Sequence, residues 1–347
     1  MIKGDTAIKK LIVGVLSIAM LALSALCGCI NVEGDGGQMN KGSQETTKAQ
    51  VYGDTIGDYV PFQKQINTLY EFGAGTSESG FSTYITYSWG TKIQRIVKWK
   101  DHNSTEVLEY LKGKGTLKLR YFDGEAYHNP DMTDVKANGA RVLLQEPLEK
   151  GAAWEDEEGY RSSVTGVDVS VKTKAGSYDA LEVTVETPAD GKGQKYYYAR
   201  GVGLVKFMDG DTEYSLDAIN EGAGVDFDVD IFFPGNDGKW VIDTRTIKVR
   251  TNPNFKPLFE TEMRKAPEGA MPLLTENGRF MRLDIFPAKG TSNVDMDKKF
   301  LNETNENDMK IILQGIVNTV GRFFEINEAE ITIEQQPYID SIMAEKP

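Results

Sequence analysis

The sequence predicts an α+β protein in which a mostly antiparallel β domain precedes a smaller unit with the order ββαββαβ. Three observations predict this class. Between residues 59 and 217, apolar side chains recur at every second position, and turn signals such as residues 122–124 (Phe-Asp-Gly) separate the runs. Residues 221–224 (Glu-Gly-Ala-Gly) then break the pattern. Beyond that break, residues 306–326 carry the apolar stripe of an amphipathic helix.

The first domain, residues 56–220, is predicted from runs of alternating apolar residues. The clearest runs are Phe81 and Ile85, Ile93 and Val97, Leu117 and Leu119, Val167 to Val171, and Leu181 to Val185. Alternation over short segments is typical of strands with one buried face, so we expect a sandwich or a strongly bent sheet. Ser104–Leu111 is the one segment whose pattern fits a short helix.

The second unit, residues 225–337, changes rhythm, and residues 338–347 are predicted to be a tail. Its predicted strands are 225–231, 240–249, 281–285, 294–300 and 329–333, and its predicted helices are 255–265 and 306–326. Residues 235–238 (Gly-Asn-Asp-Gly) predict the first hairpin, and Asn254 is a candidate helix cap. Pro337 is expected to end the last strand.

The N-terminus predicts export and a lipid anchor. Lys9 and Lys10 precede an apolar run from Leu11 to Leu26, which is too short for a typical membrane-spanning helix. Leu26, Gly28 and Cys29 resemble the lipobox of bacterial lipoproteins. We therefore predict a signal peptide over residues 1–28 and a diacylated Cys29 on the extracytoplasmic face of the membrane. The alternative is an uncleaved N-terminal helix anchor.

Composition narrows the possible functions. The chain has a net charge of −13, and removing a signal with three lysines and one aspartate makes it two charges more negative. This balance argues against nucleic acid and against adsorption to anionic headgroups. Only Cys29 would remain as a thiol, so no disulfide framework is expected. Residues 29–55 are predicted to be the lipidated cysteine and a flexible, polar linker.

The second unit resembles a known family. Residues 229–234 (Val-Asp-Ile-Phe-Phe-Pro) look like the opening strand of the sporulation and spore germination (GerMN) domain. Residues 293–300, and the segments at 317–324 and 330–333, resemble later parts of that domain. The chain departs from the family pattern at residues 335–337 (Gln-Gln-Pro) and at Gly315 and Gly321, which interrupt the predicted last helix. The resemblance implies a non-catalytic extracytoplasmic module, often carried by lipoproteins of spore-forming bacteria.

No catalytic, metal or cofactor site is predicted. Two histidines, His102 and His128, leave little material for acid–base catalysis near neutral pH. Asp226, Asp228 and Asp230 imitate the start of a calcium loop, but the glycine and glutamate that such a loop requires do not follow. An acidic outer face of a strand explains these aspartates better.

Two binding surfaces are candidates. Tyr197, the middle of three consecutive tyrosines on a predicted strand, could stack on a sugar ring of wall glycan, or it could belong to a covered strand. The polar ridge, which comprises Lys310, Gln314, Asn318 and Arg322, follows one face of the last predicted helix. It could contact a partner or a second copy of this chain, or it could be a solvated face.

Together these observations predict an envelope lipoprotein that binds or assembles and does not catalyse, with a role in sporulation or germination. Its expected partners are the membrane, through the lipid, and envelope proteins or peptidoglycan. A lipoprotein that binds wall glycan or a solute, and a cell-wall hydrolase, remain alternatives.

Overall fold

The computed structural model describes residues 54–75, 80–126, 129–188 and 193–345. They lie within a compact unit formed by residues 52–347. Strands make up 51% of the structure and helices 16%, which confirms a mixed and mostly β protein. None of the helices in the described ranges is long and apolar enough to cross a membrane.

Twelve antiparallel strands form one sheet. They are β1 Thr68–Ala74, β2 Phe81–Trp89, β3 Lys92–Lys98, β4 Asn103–Leu111, β5 Thr116–Asp123, β6 Arg141–Gln145, β7 Ala153–Glu155, β8 Arg161–Lys172, β9 Ser177–Glu186, β10 Gly193–Ala199, β11 Gly203–Asp209 and β12 Thr212–Glu221. Their order is β6-β5-β4-β3-β2-β1-β12-β11-β10-β9-β8-β7. The edge strands β6 and β7 are consecutive in the sequence, and a short chain segment joins them.

The two edges meet in a nearly closed barrel. The indole Nε1 of Trp154 donates to the carbonyl of Val142 over 3.0 Å, and the amide of Val142 donates to Asp156 Oδ2 over 3.0 Å. Side chains therefore bridge the seam, by which we mean the junction of β6 with residues 154–158. Closure matters because a closed sheet has no open edge and encloses an interior.

Two short helices, α1 Ile56–Tyr59 and α2 Phe62–Gln65, form a plug at one end of the barrel. The amide of Ile56 donates to Glu146 Oε1 over 2.8 Å, and Gln65 Nε2 donates to the carbonyl of Val202 over 2.9 Å. Tyr59 is fully buried. The plug thus contacts the barrel at two separate loops and closes that end.

The remaining chain forms two further sheets and three helices. These elements are β13 Val225–Pro234, β14 Trp240–Val249, α3 Phe255–Met263, β15 Phe280–Phe286, β16 Thr291–Met296, α4 Lys298–Glu303, α5 Met309–Phe324, β17 Glu328–Ile333 and β18 Gln336–Met343. β13 pairs with β14, and the four-stranded sheet has the order β15-β16-β17-β18, with β16 and β17 parallel. The amphipathic stripe of α5 packs against β13.

Several predicted elements differ from the structure. Ser104–Leu111 is not a helix but most of β4, because its residues pair along their whole length with β3 and β5. The predicted strand 294–300 ends at Met296, where the side chain of Asp297 accepts from the amide of Phe300 and caps α4.

The predicted order ββαββαβ is not reproduced, because α4 and β18 add two elements. Glu334 and Gln335 adopt positive φ, and this turn lets β18 return along β17 with Pro337 inside β18. α5 runs unbroken through Gly315 and Gly321. A Cβ at Gly315 would lie 2.5 Å from the carbonyl oxygen of Phe232, so glycine there permits the close approach of α5 to β13.

The barrel and the later elements share contacts. Tyr84 on β2 and Ile96 on β3 belong to the same hydrophobic core as β13 and α5. Thr251 Oγ1 donates to the carbonyl of Ile85 over 2.7 Å, and Asn252 bonds both backbone groups of Ser88. These bonds attach the end of β14 to β2, next to the predicted domain boundary at residues 221–224.

Candidate ligand-binding cavity

The interior of the barrel contains a cavity of about 240 Å³. Its walls come from the inward-facing positions of the period-2 runs, for example residues 81, 83 and 85 of β2 and residues 93, 95 and 97 of β3. Most of the lining side chains are apolar, among them Phe72, Phe81, Ile93, Leu108, Leu117 and Leu204. A cavity with such walls excludes water and favours apolar ligands.

Three charged side chains interrupt the apolar lining. Arg95 and Glu106, on neighbouring strands, form an ion pair with 2.6 Å between Nη2 and Oε2. Arg141, at the start of β6, is the third. Since one pair cancels, the cavity wall keeps one net positive charge in a chain that is strongly acidic overall.

Arg141 is held by aromatic and amide side chains. Its Nη2 donates to Tyr196 Oη over 3.2 Å and to Gln194 Oε1 over 3.4 Å, and its guanidinium carbon lies 4.3 Å from the ring centroid of Tyr160. Within the described ranges, no carboxylate pairs with this guanidinium. A guanidinium stays protonated in proteins, so Arg141 is a fixed cation at the cavity wall.

The end of the barrel opposite the plug has an open basin at the β3–β4 hairpin. Val97, Trp99 and Glu106 line both this basin and the cavity, so the two spaces adjoin. The ring of His102 stacks on Trp99 with 5.7 Å between centroids. The basin therefore adjoins the cavity at a place flanked by the rings of Trp99 and His102.

An ion pair secures the plug at the closed end. Arg200 bonds Asp54 through two of its nitrogens and donates to Asp168 Oδ1 over 2.6 Å. The hydrogen bond from Arg200 holds the pKa of Asp54 below its usual value, although burial opposes the shift. Tyr59 Oη also donates to Asp54 over 3.1 Å, which links the pair to the plug.

The Asp54–Arg200 pair should make the stability of the plug depend on pH. A carboxylate whose pKa is lowered by folding stabilises the folded chain above its unfolded pKa of about 4, and this contribution is lost as the pH falls through the folded pKa. We expect Asp54→Asn to lower the thermal midpoint at pH 7 and to have progressively less effect in acid. Thermal unfolding across this pH range tests it, with the exposed Asp340→Asn as control; an effect of Asp54→Asn that is independent of pH would contradict it.

The site residues predicted from the sequence either do not line the cavity or lie outside the described residues. Cys29 lies outside the described residues. Tyr197 faces the outside of the barrel and is only 7% exposed, with Lys206 Nζ 5.5 Å from its ring centroid. Burial, reinforced by a hydrogen bond with Glu182, raises the pKa of Tyr197 to about 12. Its neighbours Tyr196 and Tyr198 line the cavity instead.

The structure places the four residues of the polar ridge in different environments. Lys310 and Arg322 are exposed, and Gln314 is half-buried. Asn318 is buried because residues 343–345 cover it: its Oδ1 accepts from the amide of Glu345 over 2.9 Å and from Gln314 Nε2 over 2.9 Å. A groove beside Lys310 and Gln314 runs between α5 and β18. A partner at this face would therefore meet Lys310, Gln314 and β18 rather than Asn318.

The other residues considered for metal binding or catalysis do not form a cluster in the described part of the chain. Asp228 and Asp230 accept hydrogen bonds from Thr246 and Thr244 on the neighbouring strand. In the part of the chain that the structure describes, no group of three histidine, cysteine or acidic side chains could hold a metal ion. His102 is half-exposed and bonds Asp101 over 2.9 Å, and His128 lies outside the described residues.

Arg141, Arg95 and Glu106 are not among the site residues predicted from the sequence. The signal that could have found the arginines is their phase. Arg95 shares its face with Ile93 and Val97, and Arg141 shares its face with Leu143. A charged residue in register with the apolar face of a strand is costly unless it is paired or serves a ligand.

Comparisons with known proteins found structural likenesses only. No family model matches the chain, and no curated protein matches it. The first GerMN domain of the sporulation protein GerM from Bacillus subtilis is 17% identical, with a TM-score of 0.27, over 34% of this chain and 97% of that domain. An exported protein with a YmcC-like fold from Bacteroides fragilis is 12% identical, with a TM-score of 0.28, over 45% of this chain and 97% of that chain.

A structure from Clostridium perfringens that is described as a lipoprotein has a TM-score of 0.21 and 16% identity, over 34% of this chain and 80% of that chain. All three scores are too low to assign a family.

Proposed function

We propose that this chain is a lipoprotein, anchored through Cys29 to the extracytoplasmic face of the membrane, whose barrel binds a small ligand without catalysis. The observation that carries the binding role is the cavity of about 240 Å³, lined mostly by apolar side chains and by Arg141, which pairs with no carboxylate among the described residues. The lipobox-like sequence at Leu26, Gly28 and Cys29 supports the anchor.

The ligand would enter at the basin and leave by the same route. Val97, Trp99 and Glu106 line both basin and cavity, while the plug occupies the opposite end. The polar linker between Cys29 and residue 55 would hold the barrel near the membrane and raise its effective concentration there. This geometry favours capture of a solute inside the barrel over stacking of wall glycan on Tyr197, which is buried.

The second part of the chain would supply the partner contact. Its resemblance to GerMN domains in residues 229–234 and 293–300 supports a role in assembly during sporulation or germination. The groove between α5 and β18, beside Lys310 and Gln314, is the surface we assign to an envelope partner or to a second copy of this chain.

A deletion strain tests this proposal. We expect reduced spore yield or slower germination, with rescue by the wild-type gene and not by Cys29→Ala, because the latter cannot be acylated. The matched control is Cys27→Ala, which leaves the lipobox cysteine intact and should rescue fully. Equal rescue by Cys29→Ala would overturn the anchor, and a normal deletion strain would overturn the pathway. Zymography on wall material should show no clearing; clearing would overturn the non-catalytic role.

A further inference from the structure

The cavity also constrains the chemistry of its ligand. We infer that the barrel binds a single alkyl chain that ends in an anionic group, with the chain against the apolar wall and the anion on Arg141. This inference rests on the proposed binding role and adds the class of ligand.

The size of the cavity favours one narrow chain. At about 240 Å³ it exceeds the ~150 Å³ of an apolar cavity that binds benzene, and it falls below the ~300–1,000 Å³ of pockets for drug-sized molecules. Apolar side chains from several strands line this space, among them Leu108, Leu117, Phe81 and Leu204. Each methylene buried there should raise affinity about fourfold until the cavity is full.

Arg141 determines the sign of the head group. In the described part of the chain its hydrogen bonds use only Nη2, so the other guanidinium donors can bond a ligand. The ring of Tyr160 and the hydroxyl of Tyr196 fix the guanidinium in place, which lowers the entropy lost when an anion binds. The planar donors match the two oxygens of a carboxylate or a phosphate.

The other two charged residues of the lining, Arg95 and Glu106, do not compete with a ligand for Arg141. Arg95 and Glu106 neutralise each other over 2.6 Å, and Glu106 also lines the basin. A cationic head group would therefore face Arg141 without a free carboxylate nearby in the described structure. A neutral head group would leave Arg141 without an anionic partner in an apolar cavity, so an anion should bind more tightly.

Calorimetry with defined amphiphiles tests the inference. Residues 52–347 form a compact unit with its own cores, so the chain can be produced from residue 30 onward without a lipid. The probes are dodecanoate and dodecyl phosphate, which separate a fatty-acid-like from a phosphate-bearing ligand, and dodecanol as the uncharged analogue. We expect one anion to bind per chain, at least about tenfold more tightly than dodecanol.

Two variants separate the head group from the chain. Arg141→Gln keeps a hydrogen-bond donor but loses the charge. It should therefore weaken the binding of both anions about tenfold or more and leave the affinity for dodecanol unchanged. Thr83→Trp places a large side chain in the cavity and should abolish binding of all three probes. Arg161→Gln is the matched control, because it removes an exposed arginine from the same barrel.

Either of two results would overturn the inference: no binding of either anion, or anion binding that Arg141→Gln leaves unchanged. Neither depends on the strain experiment. A deletion phenotype that requires Cys29, together with no amphiphile binding, would leave the proposed lipoprotein role in place and remove this ligand class. Amphiphile binding together with a normal deletion strain would support this ligand class and remove the proposed role in sporulation or germination.

Discussion

Replacing Phe259 by alanine is expected to lower the free energy of unfolding by about 3–5 kcal/mol. Phe259 is fully buried on α3, where its ring meets Phe323 edge-on at 5.3 Å and Phe324 at 5.8 Å between centroids. Its removal would leave a cavity between α3 and α5 that these fixed elements cannot fill. Urea unfolding followed by fluorescence and circular dichroism measures the loss.

The control for Phe259 is Phe286→Ala. Phe286 is 42% exposed at the end of β15, so its truncation should change the free energy of unfolding by less than about 0.5 kcal/mol. Similar losses for the two variants would contradict the burial that the structure assigns to Phe259.

Replacing Asp156 by alanine should open the seam of the barrel and cost about 2–4 kcal/mol of folding free energy. One carboxylate accepts three backbone amides here: Oδ1 accepts from Glu158 and Tyr160, and Oδ2 from Val142, each over 3.0 Å. Alanine would leave the amide of Val142 without this bond at the edge of β6. Urea unfolding and hydrogen exchange at the Val142 amide measure the two effects.

Asp156→Asn and Glu155→Ala calibrate that experiment. Asp156→Asn keeps one oxygen acceptor, so it should lower the free energy of unfolding by roughly half as much as Asp156→Ala does. Glu155 lies next in the chain but its carboxylate is 60% exposed, so its removal should cost about 0.5 kcal/mol or less. Unchanged exchange at Val142 in Asp156→Ala would show that the seam does not depend on this carboxylate.

Local patterns predicted much of the secondary structure. The stripe from Met309 to Phe324 forms α5, since spacings of three and four residues fit only a helical face. Residues 225–231 and 240–249 form the predicted hairpin. The helix predicted at Ser104–Leu111 was wrong, because eight residues are too few to distinguish a helix from a strand by their pattern. The pairing with β3 and β5 makes this segment a strand.

In the candidate site, too, a local pattern explains part of the arrangement and the tertiary structure decides the rest. Three consecutive tyrosines on one strand place their rings on both of its faces: Tyr196 and Tyr198 line the cavity while Tyr197 faces outward. Which face would enclose a cavity depends on the curvature of all twelve strands. No local pattern contains that information.

By itself, the sequence determined the mostly β character of the first part, the amphipathic α5 and the hairpin at residue 225, because each depends on the period of nearby side chains. Only the tertiary structure decided that β6 and β7 meet, that residues 343–345 cover Asn318, and that Arg141 reaches an apolar interior. None of these features follows from the period of nearby side chains, because each depends on how separate elements pack once the whole sheet has formed.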